Sequence, residues 1–183
     1  MKKGFTLAEV LITIGVIGVI AMLTMPVLTD NYKKRVLTTQ LQKAHAELSQ
    51  AGTTALATEM SDDFRKLKVL KNGTFVEKFV KGTGSVSFAN SYVRYDCPDC
   101  GTINTSQLFR GYNYYCKKLS MGASFCVNKN GDGFLDVNST KLPNMLGRDM
   151  FMIGFGKDGT IGDYDHYLRS VIRANWDLDA SHR

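Results

Sequence analysis

The chain has 183 residues, of which 23 are Lys or Arg and 17 are Asp or Glu, so its formal net charge is +6. This length suits one membrane helix followed by one globular domain. The basic excess is mild. Its one dense cluster, Lys33-Lys34-Arg35, is typical of a solvated collar just beyond a membrane rather than of a nucleic-acid-binding surface.

The first 28 residues combine a short basic leader with a long uncharged run. Lys2 and Lys3 precede Gly4, and no charged residue occurs from Val10 to Leu28. A membrane helix needs about 20 apolar residues, whereas a cleaved secretory signal has roughly 7–15 and then a small-x-small site. The segment from Phe5 to Leu28 is longer than that, and no such site follows it. The sequence therefore predicts a transmembrane helix that stays in the mature protein.

A single carboxylate, Glu9, lies near the start of this apolar segment. A carboxylate at membrane depth costs roughly 2.5–3.5 kcal/mol, less near the interface, and is usually paired. Two interpretations follow. Glu9 is solvated at headgroup level, or it pairs with a cation such as a newly exposed α-amino group at Phe5 of a neighbouring subunit. Such a pair would fix the axial register of one helix against the next.

The residues at this border carry a family resemblance. They resemble the class III signal of type IV pilins and type II secretion pseudopilins, and they read Gly4-Phe5-Thr6-Leu7-Ala8-Glu9-Val10-Leu11-Ile12. The resemblance implies that a prepilin peptidase cuts after Gly4 and that Phe5 becomes an N-methylated N-terminus. It also implies that Glu9 pairs with the Phe5 amine of an adjacent subunit.

The same resemblance implies a location and a set of partners. The chain is expected to cross the inner membrane once, with its N-terminus in the cytoplasm, and to assemble with itself and other pilins through inner-membrane machinery. The product would be a periplasmic pseudopilus or a cell-surface pilus. Gly15, Gly18 and Pro26 match positions where pilin helices loosen in filaments, and Gly and Pro both weaken helices.

The helix is expected to continue past the membrane. Apolar residues recur at steps of four and three, which is a helical period; they are Leu37, Leu41, Ala44, Leu48, Ala51 and Ala55. We predict one helix from about Phe5 to about Met60, whose second half lays this stripe on the domain. The predicted organisation is a leader (1–4), a transmembrane or filament-core helix (5–28), its amphipathic continuation (29–60) and an extracytoplasmic domain (61–183).

The remaining residues predict a small α+β domain. Short helices are expected after Ser61 and after Thr74, where Thr74-x-x-Glu77 is a capping-box pattern. Residues 85–124 favour loops. Two hairpins follow, one joining 124–127 to 134–137 and one joining 150–155 to 160–161 through an Asp-Gly turn. A last helix or strand is expected within 167–183. The predicted fold is thus a long helix packed on a small antiparallel sheet, as in pilins.

The first hairpin also suggests a metal site. Oxygen-bearing side chains alternate through its connection and a glycine marks the turn, as in part of a calcium loop; the candidates are Asn128, Asn130, Asp132 and Asp136. Ser139 replaces the usual final Glu, so a calcium site would be weak, and turn formation alone also explains the pattern. Neighbouring loops offer Asp149, Asp158 and Asp163. The spacing Asp136-x-Asn138, Pro143-Asn144 and Gly147-x-Asp149-x-Phe151 resembles a block found in pilin-like proteins.

Four cysteines leave three chemistries open. An exported domain favours structural disulfides, and four cysteines allow three pairings. Zinc would find one half-site in Cys97-Pro98-Asp99-Cys100, but Cys116 and Cys126 are ten residues apart. A redox Cys-x-x-Cys would need a strand-helix context that this segment lacks.

Catalysis is not predicted. The histidines are His45, His166 and His182; His45 is expected on the surface of the long helix, and no nucleophile, phosphate-loop or metalloprotease motif accompanies any of them. The predicted function is therefore structural, in a type IV pilus or a type II secretion pseudopilus. Two alternatives stay open: a minor pilin that binds DNA or a surface ligand, and an uncleaved bitopic membrane protein.

Overall fold

The computed structural model describes residues 4, 6–84, 86, 88–94, 101–142, 144–163 and 166–182. The chain divides into two compact units between Val36 and Leu37. Helix α1 spans Leu7–Glu59 and therefore contributes to both units. The predicted long helix is confirmed. Gly15, Gly18 and Pro26 lie inside it, and their loosening in an assembled filament stays a prediction.

The second half of α1 packs on the domain through the predicted stripe. All six stripe residues are buried in the hydrophobic core of the second unit, and they are Leu37, Leu41, Ala44, Leu48, Ala51 and Ala55. Burying such side chains is the main favourable term in packing a helix on a sheet.

Three short helical segments follow α1: a 3₁₀ turn at Phe64–Lys66, α2 at Lys68–Lys71 and α3 at Phe75–Phe79. The last residue of α1 caps α2, because the Glu59 carboxylate accepts the N–H groups of Lys68 (2.6 Å) and Val69 (2.9 Å). Helix α3 begins after Thr74, but the Thr74 side chain makes no capping hydrogen bond. The capping-box prediction at Thr74 and Glu77 is therefore wrong. Thr74 has helical rather than extended backbone angles, which turns its hydroxyl away from the cap position.

The described residues contain eight strands in one sheet, in the order β2-β1-β6-β7-β5-β4-β3, with β8 also paired to β7. The strands are β1 Ser91–Arg94, β2 Thr102–Asn104, β3 Tyr114–Lys118, β4 Ser124–Asn128, β5 Asp132–Asp136, β6 Met145–Leu146, β7 Met150–Phe155 and β8 Ile161–Asp163. The sheet is mixed rather than antiparallel, because the two-residue β6 runs parallel to both β1 and β7. The α+β class is confirmed.

Both predicted hairpins are present. Strands β4 and β5 pair antiparallel, as do β7 and β8. The side chain of Asn128 organises the first turn, since its Oδ1 accepts the N–H groups of Asn130 (2.8 Å) and Asp132 (3.1 Å). In the second turn, Asp158 accepts both the N–H (3.2 Å) and the hydroxyl (2.8 Å) of Thr160.

The described residues between 86 and 124 contain more regular structure than the sequence suggested. They contain β1, β2, β3 and the short helix α4 at Thr105–Leu108. The signal for β3 was weak because this strand is half-buried at every position and shows none of the alternation by which half-buried strands are recognised. Strands β1 and β2 have only four and three residues, so each offers little pattern to recognise.

The C-terminal residues form α5 at His166–Arg173 and a 3₁₀ helix at Leu178–His182. Helix α1 also covers the start of β8. Ser49 Oγ accepts the Ile161 N–H at 3.0 Å, and His45 Nε2 lies 3.1 Å from the Ile161 carbonyl oxygen. Two side chains one helical turn apart thus take both backbone groups of one edge residue, which protects that edge from other pairing.

Gly52 explains how α1 approaches the β7–β8 turn. A Cβ at Gly52 would lie 2.0 Å from the carbonyl oxygen of Gly159, which itself has a φ of +77°. The obstruction is backbone and cannot rotate away. Gly52 is therefore required by close packing, in addition to its low helix propensity.

We expect Gly52→Ala to lower the free energy of unfolding by about 1–3 kcal/mol through overpacking, although alanine by itself favours a helix by about 1 kcal/mol. The measurement is urea unfolding of the full chain in detergent, followed by the fluorescence of Trp176, the one tryptophan in the sequence. Thr53→Ala, at the exposed neighbouring position, is the matched control and should not destabilise. An unchanged midpoint for Gly52→Ala would contradict the packing argument.

Candidate functional site

The predicted processing and assembly residues lie at the start of α1. Gly4 is exposed, and Phe5 lies outside the described residues. Glu9 occupies the first turn of the helix and is exposed. Gly4 and the Glu9 side chain are thus both accessible to solvent.

Glu9 has a local partner that the sequence interpretation missed. Its Oε2 accepts hydrogen bonds from the Thr6 backbone N–H (2.8 Å) and the Thr6 hydroxyl (2.9 Å). In return, the Glu9 N–H lies 3.3 Å from Thr6 Oγ1. This is a reciprocal capping box, which satisfies two of the N–H groups that a helix start leaves without partners.

The signal for this capping box was present in the sequence as Thr6-x-x-Glu9. The same four-residue pattern was assigned to Thr74 and Glu77, where it does not form. Both bonds from Thr6 reach the same oxygen, Oε2. The Glu9 carboxylate is therefore held in one orientation by its own helix, and it remains exposed.

Most of the described side chains that follow Glu9 are apolar and exposed, and they lie on every side of the helix. Ile12 is 67% exposed, Ile17 64% and Leu23 71%. By length and composition, this is the one helix among the described residues that is able to cross a membrane. A helix that is apolar on all faces requires an apolar surrounding, either lipid or other protein.

The hairpin residues proposed as calcium ligands do not converge. Asp132 and Asp136 lie at opposite ends of β5, which places them about 13 Å apart along an extended strand. Asn128 Oδ1 is already engaged in the turn, and Asn130 is exposed beside it. In the described parts of the chain, no three His, Cys, Asp or Glu side chains are grouped to hold a metal. Calcium binding stays a prediction. The side chain of Asp163 lies outside the described residues.

Asp136 instead belongs to a buried polar network with Tyr92 and Asp149, all three of which are fully buried. The Tyr92 hydroxyl donates to Asp136 Oδ2, and the Asn138 N–H donates to Asp136 Oδ1 at 3.2 Å. Asp136 and Met150, the residue after Asp149, face each other across β5 and β7. The network therefore ties β1 to the middle of the sheet.

Asp149 clamps the segment that leads into β6. Its Oδ2 accepts the Asn144 N–H (2.8 Å) and its Oδ1 accepts the Met145 N–H (2.6 Å). Burial raises the pKa of Asp149 to about 6, although these N–H groups oppose the shift. Burial also raises the pKa of Asp136 to about 7, and the nearby charge of Asp149 contributes in the same direction. Burial and the Asp136 carboxylate raise the pKa of the Tyr92 hydroxyl, which remains a donor.

One of the predicted disulfides is defined. Cys116 and Cys126 are bonded, and they face each other on the antiparallel strands β3 and β4 with Cα atoms 4.0 Å apart. This bond fastens the edge strand β3 to the buried strand β4, and it removes both thiols from the zinc and redox alternatives. Cys97 and Cys100 lie outside the described residues.

His45 is not the surface residue that the sequence suggested. It is half-buried, contacts Ile161, and meets the Trp176 ring edge-on at a centroid distance of 5.3 Å. Burial lowers the pKa of His45. Its role is packing at the junction of α1, β8 and the C-terminal turn. His166 lies at the start of α5 beside Tyr167, and the side chain of His182 lies outside the described residues.

Comparisons with protein-family models, with curated proteins and with solved structures gave no match. The family resemblance therefore depends on the residues of the leader and of the 136–151 block.

The buried carboxylates predict an unusual pH dependence of stability. Their folded-state pKa values are raised from 3.8 to about 7 and about 6, so the folded chain holds protons that the unfolded chain has released. Stability from these groups is complete below pH 4 and is lost as the pH rises through 6 and 7, at up to about 1.4 kcal/mol per pH unit for each proton.

We expect the urea midpoint of the full chain in detergent to fall between pH 5 and pH 8. Asp136→Asn should flatten this fall, because an amide keeps the shape and does not titrate. Asp62→Asn, at a side chain that is 88% exposed, is the control and should keep the wild-type slope. A wild-type slope in Asp136→Asn would show that Asp136 does not titrate in this range.

Proposed function

We propose that this chain is a structural subunit of a type IV pilus or a type II secretion pseudopilus, processed after Gly4 and assembled through α1. The observation that carries the proposal is the border sequence from Gly4 to Glu9, which opens a helix whose residues 10–28 are uncharged and include exposed apolar side chains such as Ile12, Ile17 and Leu23. Leader, border glycine, Phe5 and the offset carboxylate all match the prepilin pattern.

The dimensions of α1 support a membrane-inserted precursor. Residues 7–28 rise about 32 Å along a helix, and the hydrocarbon core of a bilayer is about 30 Å thick. The proposed orientation puts the N-terminus in the cytoplasm and the disulfide-bonded unit outside, where a disulfide such as Cys116–Cys126 persists.

The exposed apolar side chains support assembly as well as insertion. After extraction from lipid, these side chains need another apolar surrounding, and the matching helices of other subunits supply one. In such a packed core, burying the Glu9 carboxylate without a cationic partner would cost free energy. We propose that the α-amino group of Phe5 on an adjacent subunit is that cation.

The capping box adds a positioning element to this proposal. Thr6 holds Glu9 Oε2, so the carboxylate enters the assembly already oriented. Less side-chain freedom is then lost when the intermolecular pair forms. Thr6 is therefore proposed as a positioning residue for assembly.

The test of processing is an intact mass with N-terminal peptide mapping, on protein extracted from the membranes of its own host. A chain that begins at methylated Phe5 supports the prepilin pathway. A chain that begins at Met1, in a host with an active prepilin peptidase, contradicts the proposal and favours an uncleaved bitopic anchor. Gly4→Trp is the matched variant, and it should block cleavage.

We expect Glu9→Leu and Glu9→Gln to be inserted and cleaved normally but to give at least tenfold fewer filaments. Glutamine can replace glutamate in a capping box, so Glu9→Gln separates the local role from the charge. The measurement is the yield of sheared or purified filaments relative to cleaved subunit in the membrane.

Normal filament yield from Glu9→Gln would show that capping alone explains Glu9, and the intermolecular pair would be abandoned. Normal yield from both variants would contradict any role of Glu9 in assembly. Thr6→Val, which removes the hydroxyl, should give an intermediate yield because the charge remains but its orientation is loosened.

A further inference from the structure

We propose that Tyr32, Lys33, Lys34 and Arg35 form a collar around α1 that binds the anionic phospholipid headgroups at the C-terminal end of the membrane span. The collar would fix the depth at which the helix rests before assembly. This inference rests on the proposed function, because it requires that residues 5–28 cross a bilayer.

The collar lies at headgroup depth. Leu28 is the last apolar residue before Asp30, and Tyr32 and Arg35 follow Leu28 by four and seven residues. At 1.5 Å per residue these are about 6 and 10 Å beyond the hydrocarbon edge. The polar layer of a bilayer adds roughly 5–8 Å on each side of the hydrocarbon. The four side chains therefore lie within or just above the headgroups.

The arrangement of the collar favours a bilayer over a single macromolecule. Consecutive residues of an α-helix are separated by about 100°, so four in succession point to all sides. Lys33, Arg35 and the 69% exposed Tyr32 are exposed, and Lys34 is half-buried. A bilayer surface surrounds a helix completely, whereas a nucleic acid or a docked protein contacts one face.

The side-chain chemistry also fits anionic lipid. Tyrosine is enriched at membrane interfaces, where its ring contacts the acyl border and its hydroxyl reaches water. Three basic residues meet phosphate, and Asp30 reduces the local net charge to +2 (3 minus 1). Asp30, Lys34 and Arg35 each have an interaction within the chain, so the argument depends on net charge and position.

The location of the triplet has an insertion cost. Basic residues are normally retained on the cytoplasmic side of a span, and in the proposed orientation Lys33, Lys34 and Arg35 lie on the opposite side. Their presence there opposes insertion in the proposed orientation. The leader residues Lys2 and Lys3 counter this effect, because they would lie on the cytoplasmic side. Binding of anionic headgroups supplies a favourable term on the side where the triplet arrives.

The collar would also determine where Glu9 rests. Glu9 lies 23 residues before Tyr32, or about 35 Å along the helix. With the collar at one headgroup layer, Glu9 lies at the opposite one, where a carboxylate remains hydrated. The electrostatic cost of Glu9 then arises only when the helix leaves the membrane, at the step where the Phe5 amine is proposed to meet it.

The test measures lipid preference directly. The full chain is reconstituted into vesicles of equimolar phosphatidylglycerol and phosphatidylcholine and extracted in mild detergent. Native mass spectrometry then counts the lipids retained. A basic residue near an anionic surface is worth about fivefold, so we expect the wild type to retain phosphatidylglycerol at least tenfold over phosphatidylcholine. The triple variant Lys33→Gln, Lys34→Gln and Arg35→Gln should lose that preference.

The matched control removes two lysines and one arginine elsewhere, at exposed positions of the second unit: Arg65→Gln, Lys66→Gln and Lys68→Gln. This control should keep the wild-type preference, and Asp30→Asn should raise it severalfold. Protease protection checks that every variant inserts in the same orientation. Unchanged preference in the collar variant, or an equal loss in the control, overturns the proposal.

The outcomes separate the collar from the filament. If lipid preference follows the collar but the chain remains uncleaved and forms no filaments, the collar stands and the proposed function fails. If filaments assemble normally from a chain with no lipid preference, the collar fails alone.

Discussion

The burial of one stripe of α1 is the constraint on which the second unit depends. The stripe begins with leucines and ends with alanines, and Gly52 beside it lets the backbone of the β7–β8 turn approach to contact. His45 and Ser49, on an adjacent face, take the two backbone groups of Ile161. Helix α1 thus contributes buried side chains to the core, allows the β7–β8 turn to pack closely at Gly52, and protects the edge strand β8. These contacts position the strands that the helix touches.

The sheet is completed by buried charge as well as by apolar packing. Among the described residues of segment 138–149, the two-residue β6 is the one strand, so regular pairing cannot hold the segment. Backbone N–H groups of Asn144 and Met145 donate to Asp149 instead, and Tyr92 donates to Asp136. Desolvation makes such carboxylates costly. The buried carboxyl groups therefore define the path of this segment, and they also make the stability of the unit depend on pH.

The start of α1 differs from its second half, since most of its described apolar side chains between Leu7 and Leu28 are exposed. The one carboxylate in this stretch is satisfied by its own helix start, through Thr6. This local solution makes Glu9 compatible with a membrane interface, and it leaves the charge available for the proposed partner in a filament. The proposed collar at Tyr32–Arg35 and the capping box at Thr6 and Glu9 lie at the two ends of the apolar segment.

The sequence by itself determined the long helix, its buried stripe, the two hairpins and the apolar span, because each is a periodic or local pattern that survives in any environment. It could not determine the parallel pairing of β6, the strands within 85–124, or the choice of Cys116–Cys126 among the possible pairings. Those features depend on contacts between distant segments; β1 and β2 are also short, and β3 is half-buried at every position and carries no alternation. Tertiary structure likewise decided why residue 52 is glycine, that His45 is half-buried, and that Asp136 bonds to Tyr92. Each depends on contacts with residues that are distant in sequence, and the local sequence does not indicate which residues these are.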